Sequence, residues 1–106
     1  MAKIKIVDIP PGQAPEEVRK AWVGLILPIA ENIPGGLVET GVNLFRLDKP
    51  FEFKPENTGG YYVETKVAMG ILEKENPEVA RWWRTNVYLE ATLYFVFEKE
   101  VCELLP

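Results

Sequence analysis

The sequence predicts a mainly β protein, a small antiparallel barrel or meander carrying two short helical turns. Two observations predict it. Short apolar stretches, several with strict alternation, recur at close intervals, and Gly/Pro-rich connections separate them with no room for long crossover helices. The alternative is an α+β sheet with one longer helix running from Pro15 into Leu27. At 106 residues the chain reads as one domain, residues 1–106.

The opening strand is read over Lys3 to Ile9. Ile4 and Ile6 alternate with Lys3 and Lys5, and the phase shift at Val7 and Ile9 is the pattern of a bulge. The breaker PPGQAP ends it. From Pro15 to Trp22 the residues suit a short helix: Pro15 fits the first helical position, and Glu16 and Glu17 favour the positive end of the dipole. Val23 to Ile29 is a continuous apolar run between breakers, consistent with a buried strand or a short buried helix. After the turn ENIPGG come a candidate strand from Leu37 to Leu47, bent at Gly41, and a short alternation between Lys49 and Pro55.

Tyr61 to Ile71 carries the longest alternation, with Tyr61, Val63, Thr65, Val67, Met69 and Ile71 on one side. It predicts an eleven-residue strand, one face on a core and one on water. Tyr88 to Phe97 and Val101 to Leu105 are read as the closing strands. A last strand after the polar turn Glu98-Lys99-Glu100 is compatible with an SH3-like barrel, a likeness of architecture that carries no motif.

NPEVARWWR (Asn76 to Arg84) raises the main functional question, because arginines interleaved with tryptophans can bind a partner. Asn76 is a favoured N-cap and Pro77 a favoured first residue, so a helix is expected. At about 100° per residue, Val79, Trp82 and Trp83 share one face while Arg81 and Arg84 point away. Val18, Ala21 and Trp22 repeat this arrangement, with Arg19 and Lys20 facing outward. The two tryptophan-bearing turns are therefore read as plugs for barrel openings. Burying one tryptophan contributes roughly 4–6 kcal/mol before entropy, which favours a core role for Trp22 and Trp82. Trp83 is divided between core and binding surface.

Composition removes several function classes. Apolar residues make up 47% and aromatics 11%, a globular balance. With no His and no Ser, triads built on Ser–His or Cys–His cannot form within the chain. Cys102 is the only cysteine, so no internal disulfide forms, and it is read as a small buried hydrophobe. A net charge of −4 argues against nucleic acid as the main partner. Met1 to Ile6 lacks the apolar core of a signal peptide and no stretch reaches a membrane span, which predicts a cytoplasmic protein. No cofactor or metal is expected. The glycine pairs Gly35-Gly36 and Gly59-Gly60 are read as turns that use positive φ.

The function expected is a small non-enzymatic binding or protein-interaction module, engaging a protein partner or copies of itself in a homo-oligomer. The candidate binding residues are Tyr62, Trp83, Tyr88 and Arg84. Tyr62, Tyr88 and Tyr94 are outward aromatics that can line a peptide groove or simply pair across strands. A small enzyme using Glu64, Tyr62 and Tyr88 is the second reading, and a nucleic-acid accessory domain the third.

Overall fold

Ile4 and Ile6 are fully buried while Lys3 and Lys5 face outward, so the first strand, β1 (Lys3–Ile6), forms as its alternation requires. The computed structural model describes residues 2–30, 32–33, 36–39, 44–47, 51–52, 60–86 and 94–106, with side chains described in 2–30, 60–86 and 94–106. β1 pairs antiparallel with β2 (Ile26–Pro28) on one side and with β9 (Cys102–Leu105) on the other. This three-stranded sheet joins the two ends of the chain.

Between β1 and β2 lie the proline-rich loop and α1 (Glu16–Lys20). α1 stops within two turns, and the chain reverses through Gly24, whose φ of +92° favours glycine. The longer helix into Leu27 therefore does not form. Trp22 stands in this turn, 2% exposed.

A second sheet has the order β5 (Leu44–Leu47), β4 (Gly36–Glu39), β8 (Tyr94–Glu98) and β7 (Gly60–Glu64). β4 and β5 form an antiparallel pair in place of one bent strand, and β4 runs parallel to β8 where Glu39 meets Phe95. A small ladder joins β3 (Asn32–Ile33) to β6 (Phe51–Glu52). Gly60 is in extended backbone, and a Cβ there would meet the Phe97 carbonyl oxygen at 2.8 Å. Close strand approach, not positive φ, is what requires glycine at this position. Gly35 and Gly59 lie outside the described residues.

The main departure from expectation is at Thr65. The alternation that begins at Tyr61 holds only to Glu64, and α2 (Thr65–Glu75) follows directly. Thr65, Ala68, Met69 and Leu72 are its buried residues, at i, i+3, i+4 and i+7, within about 100° of one another. Val67, on the expected inner face of a strand, is 36% exposed. Past Lys66 the polar half of the alternation is Ala68 and Gly70, so the period-two pattern had lost its contrast while a helical stripe was available.

Asn76 ends α2 and starts α3 (Pro77–Asn86). Its N–H donates to the Leu72 carbonyl at 2.7 Å, and its Oδ1 accepts from the Val79 N–H at 3.2 Å. Pro77 cannot continue α2 but suits the first position of α3. α2 packs on β2, β7, β8 and α3, and α3 also meets α1. A 3₁₀ turn (Lys99–Val101) leads from β8 to β9, in the place expected for a tight polar turn.

The architecture is a small mixed α/β fold with mainly antiparallel sheets. Among the described residues no closed barrel forms, because the β2–β1–β9 sheet and the β5–β4–β8–β7 sheet remain separate. The expected barrel therefore does not close among the described residues, and two helices of 11 and 10 residues accompany the strands, α2 packing on β2, β7 and β8. The shared core contains Ile4, Ile6, Leu27, Val63, Met69 and Leu72, together with an aromatic cluster described next. Among the described residues no helix is long and apolar enough to cross a membrane.

Candidate functional site

Phe95 and Phe97 alternate with Tyr94 and Val96 on β8, so both phenyl rings project to the helical side of the sheet. The turn after α1 delivers Trp22 onto them, with ring centroids 5.6 Å from Phe95 and 5.5 Å from Phe97, both edge-on. α3 delivers Trp83, 5.9 Å from Trp22 and 6.1 Å from Phe95. These T-shaped contacts are the geometry aromatic quadrupoles favour. The Trp83 indole N–H donates to the Val18 carbonyl at 3.1 Å, which satisfies the one polar atom of the buried ring and ties α3 to α1.

The two adjacent tryptophans exchange the weights expected of them. Trp83 is 6% exposed, whereas Trp82 is only partly buried against it, 5.3 Å away. The buried centre of α3 falls between Ala80 and Trp83, displaced toward Ala80 from the face centred on Val79. Arg81 and Arg84 face outward as the helical count predicts. With no barrel, neither tryptophan is a plug; they meet each other in one cluster.

One side of this cluster opens to solvent. Trp22, Trp83, Phe95 and Phe97 floor a cleft, and Pro10, Pro11, Gly12 and Ala14 form its rim. Arg19 and Glu98 also line it, and its volume is about 30 Å³. A water molecule needs roughly 10–15 Å³ measured this way, so the cleft holds a group the size of two waters. Arg19 fixes the rim: its Nε donates to the Ala14 carbonyl at 2.7 Å and its Nη1 to the Pro10 carbonyl at 3.0 Å. An arginine expected to point into water thus folds back to brace the proline loop.

The four candidate residues do not converge. Trp83 lies in the cleft floor. Arg84, one residue on, pairs with Glu73 at 3.3 Å on the exposed outer side of α2 and α3, a kind of contact that contributes little. Tyr62 lies on the other face of β7, half-buried, 6.5 Å from the Tyr94 ring and close to Ala30 and Val96. Tyr88 lies outside the described residues. Burial pushes the Tyr62 phenol up from its ordinary pKa; at Tyr94 burial does the same, helped by the charge of Glu64. Burial also pushes the Cys102 thiol up to about 12, which leaves it protonated and unreactive at neutral pH.

Sequence reasoning missed Arg19, Glu98 and the Pro10–Ala14 rim. The available signal was the run Pro10-Pro11-Gly12 followed closely by an arginine, since carbonyls of a proline-rich loop need donors from elsewhere. Compared with protein-family models, with curated proteins and with solved structures, the chain matches none of them.

Proposed function

We propose that this chain is a non-enzymatic binding module for a protein segment, with the cleft between the Pro10–Ala14 loop and β8 as its contact site. The observation that carries this reading is the aromatic floor. In a chain of 106 residues, four large rings, each 2–6% exposed, pack together beneath a small cleft whose rim Arg19 holds in place. Aromatic residues with an arginine at their edge are the composition that concentrates binding energy in protein interfaces.

The small-enzyme reading has less support. A catalytic phenol or thiol works through a lowered pKa or a neighbouring base, and Tyr62, Tyr94 and Cys102 are all shifted the other way.

Selection of displayed random peptides against the chain and against its Ala14→Val variant tests the proposal. Ala14 lines the cleft, and its bond to Arg19 uses the backbone, so the two added methyl groups of valine occupy the site and leave the brace intact. Peptides enriched by the unmodified chain and lost with the filled variant are expected. Enrichment that ignores the substitution, or none, contradicts the site.

Homo-oligomer formation is a second part of the proposal, resting on a different surface. Ile26 (47% exposed) and Leu104 (40% exposed) lie on the two outer strands of the β2–β1–β9 sheet, and such edges favour strand pairing between copies. Sedimentation of the chain and of Leu104→Lys tests it: a larger species that the substitution dissociates is expected, and a monomer at all concentrations contradicts it.

A further inference from the structure

We propose that the cleft takes one small apolar side chain, the size of valine or proline, from an extended peptide whose backbone lies between Arg19 and Glu98. This rests on the reading of the chain as a protein-segment binder, and names what the segment must offer.

Size sets the first limit. About 30 Å³ accepts one or two methyl-sized groups beneath the rim. An indole or phenyl ring enters only if the Pro10–Ala14 loop moves, which the two Arg19 bonds resist. The floor sets the second limit. Four aromatic rings form it, and the Trp83 indole N–H is already bonded to Val18. An apolar group gains by leaving water there.

The mouth supplies the orientation. A guanidinium carries five N–H donors, and Arg19 uses two of them on the Ala14 and Pro10 carbonyls. The described residues offer it no ion pair. Glu98 is exposed, and its side-chain oxygens are acceptors. One apolar cleft therefore carries a cationic donor and an anionic acceptor among its lining residues. A peptide group presents the complement, a carbonyl for Arg19 and an N–H for Glu98. A phosphate or free carboxylate meets attraction from Arg19 but repulsion from Glu98, and a cation meets the reverse.

The test uses the full ¹⁵N-labelled chain and two capped tripeptides, acetyl-Ala-Val-Ala-amide and acetyl-Ala-Trp-Ala-amide. The indole resonances of Trp22 and Trp83 and the amides of Phe95 to Glu98 are the readout. The valine peptide is expected to shift them saturably at millimolar concentration, as one small anchor allows, and the tryptophan peptide to leave them in place. Glu98→Gln is expected to weaken the valine peptide about two- to fivefold, the range of an exposed charge contact. Equal binding of both peptides, or no effect of Glu98→Gln, overturns the proposal and leaves the cleft as a binding site. If displayed peptides are enriched at the cleft while the valine peptide is silent, the ligand class is wrong and the module reading stands. If neither experiment gives binding at the cleft, both fail.

Discussion

On one face of the β7–β8 pair lie Tyr61, Val63, Phe95 and Phe97; on the other lie Tyr62, Tyr94 and Val96. Residue types barely differ between them, yet their surroundings do. The first face receives Trp22 and Trp83 from two helical segments, and the rings interlock at 5.5–6.1 Å. The second holds a tyrosine pair at 6.5 Å against Ala30 and Val96, its phenols made harder to ionise by burial. Aromatic richness alone therefore does not locate a site. What matters is whether a ring cluster is closed over or left with a cleft beside it, and among the described residues the first face has a loop rim with a cleft beside it.

The largest effect that probes this contrast is expected from Trp83→Ala. It removes a buried ring from the cluster and leaves the Val18 carbonyl without its donor, a loss of about 3–5 kcal/mol. Denaturant unfolding measures it, and Tyr62→Ala on the far face is expected to cost clearly less. A far-face cost equal to that of Trp83 would erase the distinction between the faces.

Gly60→Ala comes next, at about 1–3 kcal/mol, because the new methyl group is forced to 2.8 Å from the Phe97 carbonyl oxygen. Thr65→Val is expected to act in the opposite sense. The Thr65 hydroxyl is buried at 4% exposure with no hydrogen-bond partner among the described residues. Replacing it with an apolar group of similar shape raises stability by about 1 kcal/mol. Thermal unfolding of the two variants gives shifts of opposite sign.

The last effect is confined to alkaline pH. Groups whose pKa is raised by folding hold their protons more tightly in the native state. The stability they contribute is complete below their ordinary pKa and is lost as the pH rises through the raised value. For Cys102 that window runs from about pH 9 to about pH 12, and the Tyr62 and Tyr94 losses begin above pH 10. Cys102→Ala is expected to flatten the alkaline limb of a stability–pH curve, with Tyr94→Phe flattening only its upper part. An unchanged limb in both variants would mean that these side chains are as hydrated folded as unfolded.

How far the fold could be read from sequence depends on where its signals are local. α3 was legible because Asn76, Pro77 and Glu78 each state a helix start by chemistry within one turn. α2 was not: Glu64 precedes it with no side-chain cap, and Tyr61 to Glu64 gives a strand signal that Val67, Met69 and Ile71 prolong by coincidence. Its stripe of Thr65, Ala68, Met69 and Leu72 is small and half polar at its start. β1, β9 and the inner residues of β8 followed from alternation, whereas their assembly into separate sheets did not. Pairing is decided by the long-range partners of each edge, and α2, which packs on β2, β7 and β8, was itself hidden.

The cleft was legible only in its parts. Trp83 stands out by its ring, but its neighbours Trp22, Phe95 and Phe97 come from two other elements distant in sequence, the turn after α1 and β8. Helical phase places the Arg19 Cα on the outward side, while its long side chain reaches back to carbonyls five and nine residues earlier. Tyr62 and Arg84 answered to the same composition rule and ended on other surfaces.

Hydrogen exchange of the indole N–H groups, followed by NMR, shows whether Trp83 is fastened into the cluster that floors the cleft. A Trp83 N–H that exchanges slowly, held on the Val18 carbonyl, is expected beside a Trp82 N–H that exchanges much faster. A Trp83 signal that exchanges as fast as that of Trp82 would contradict it.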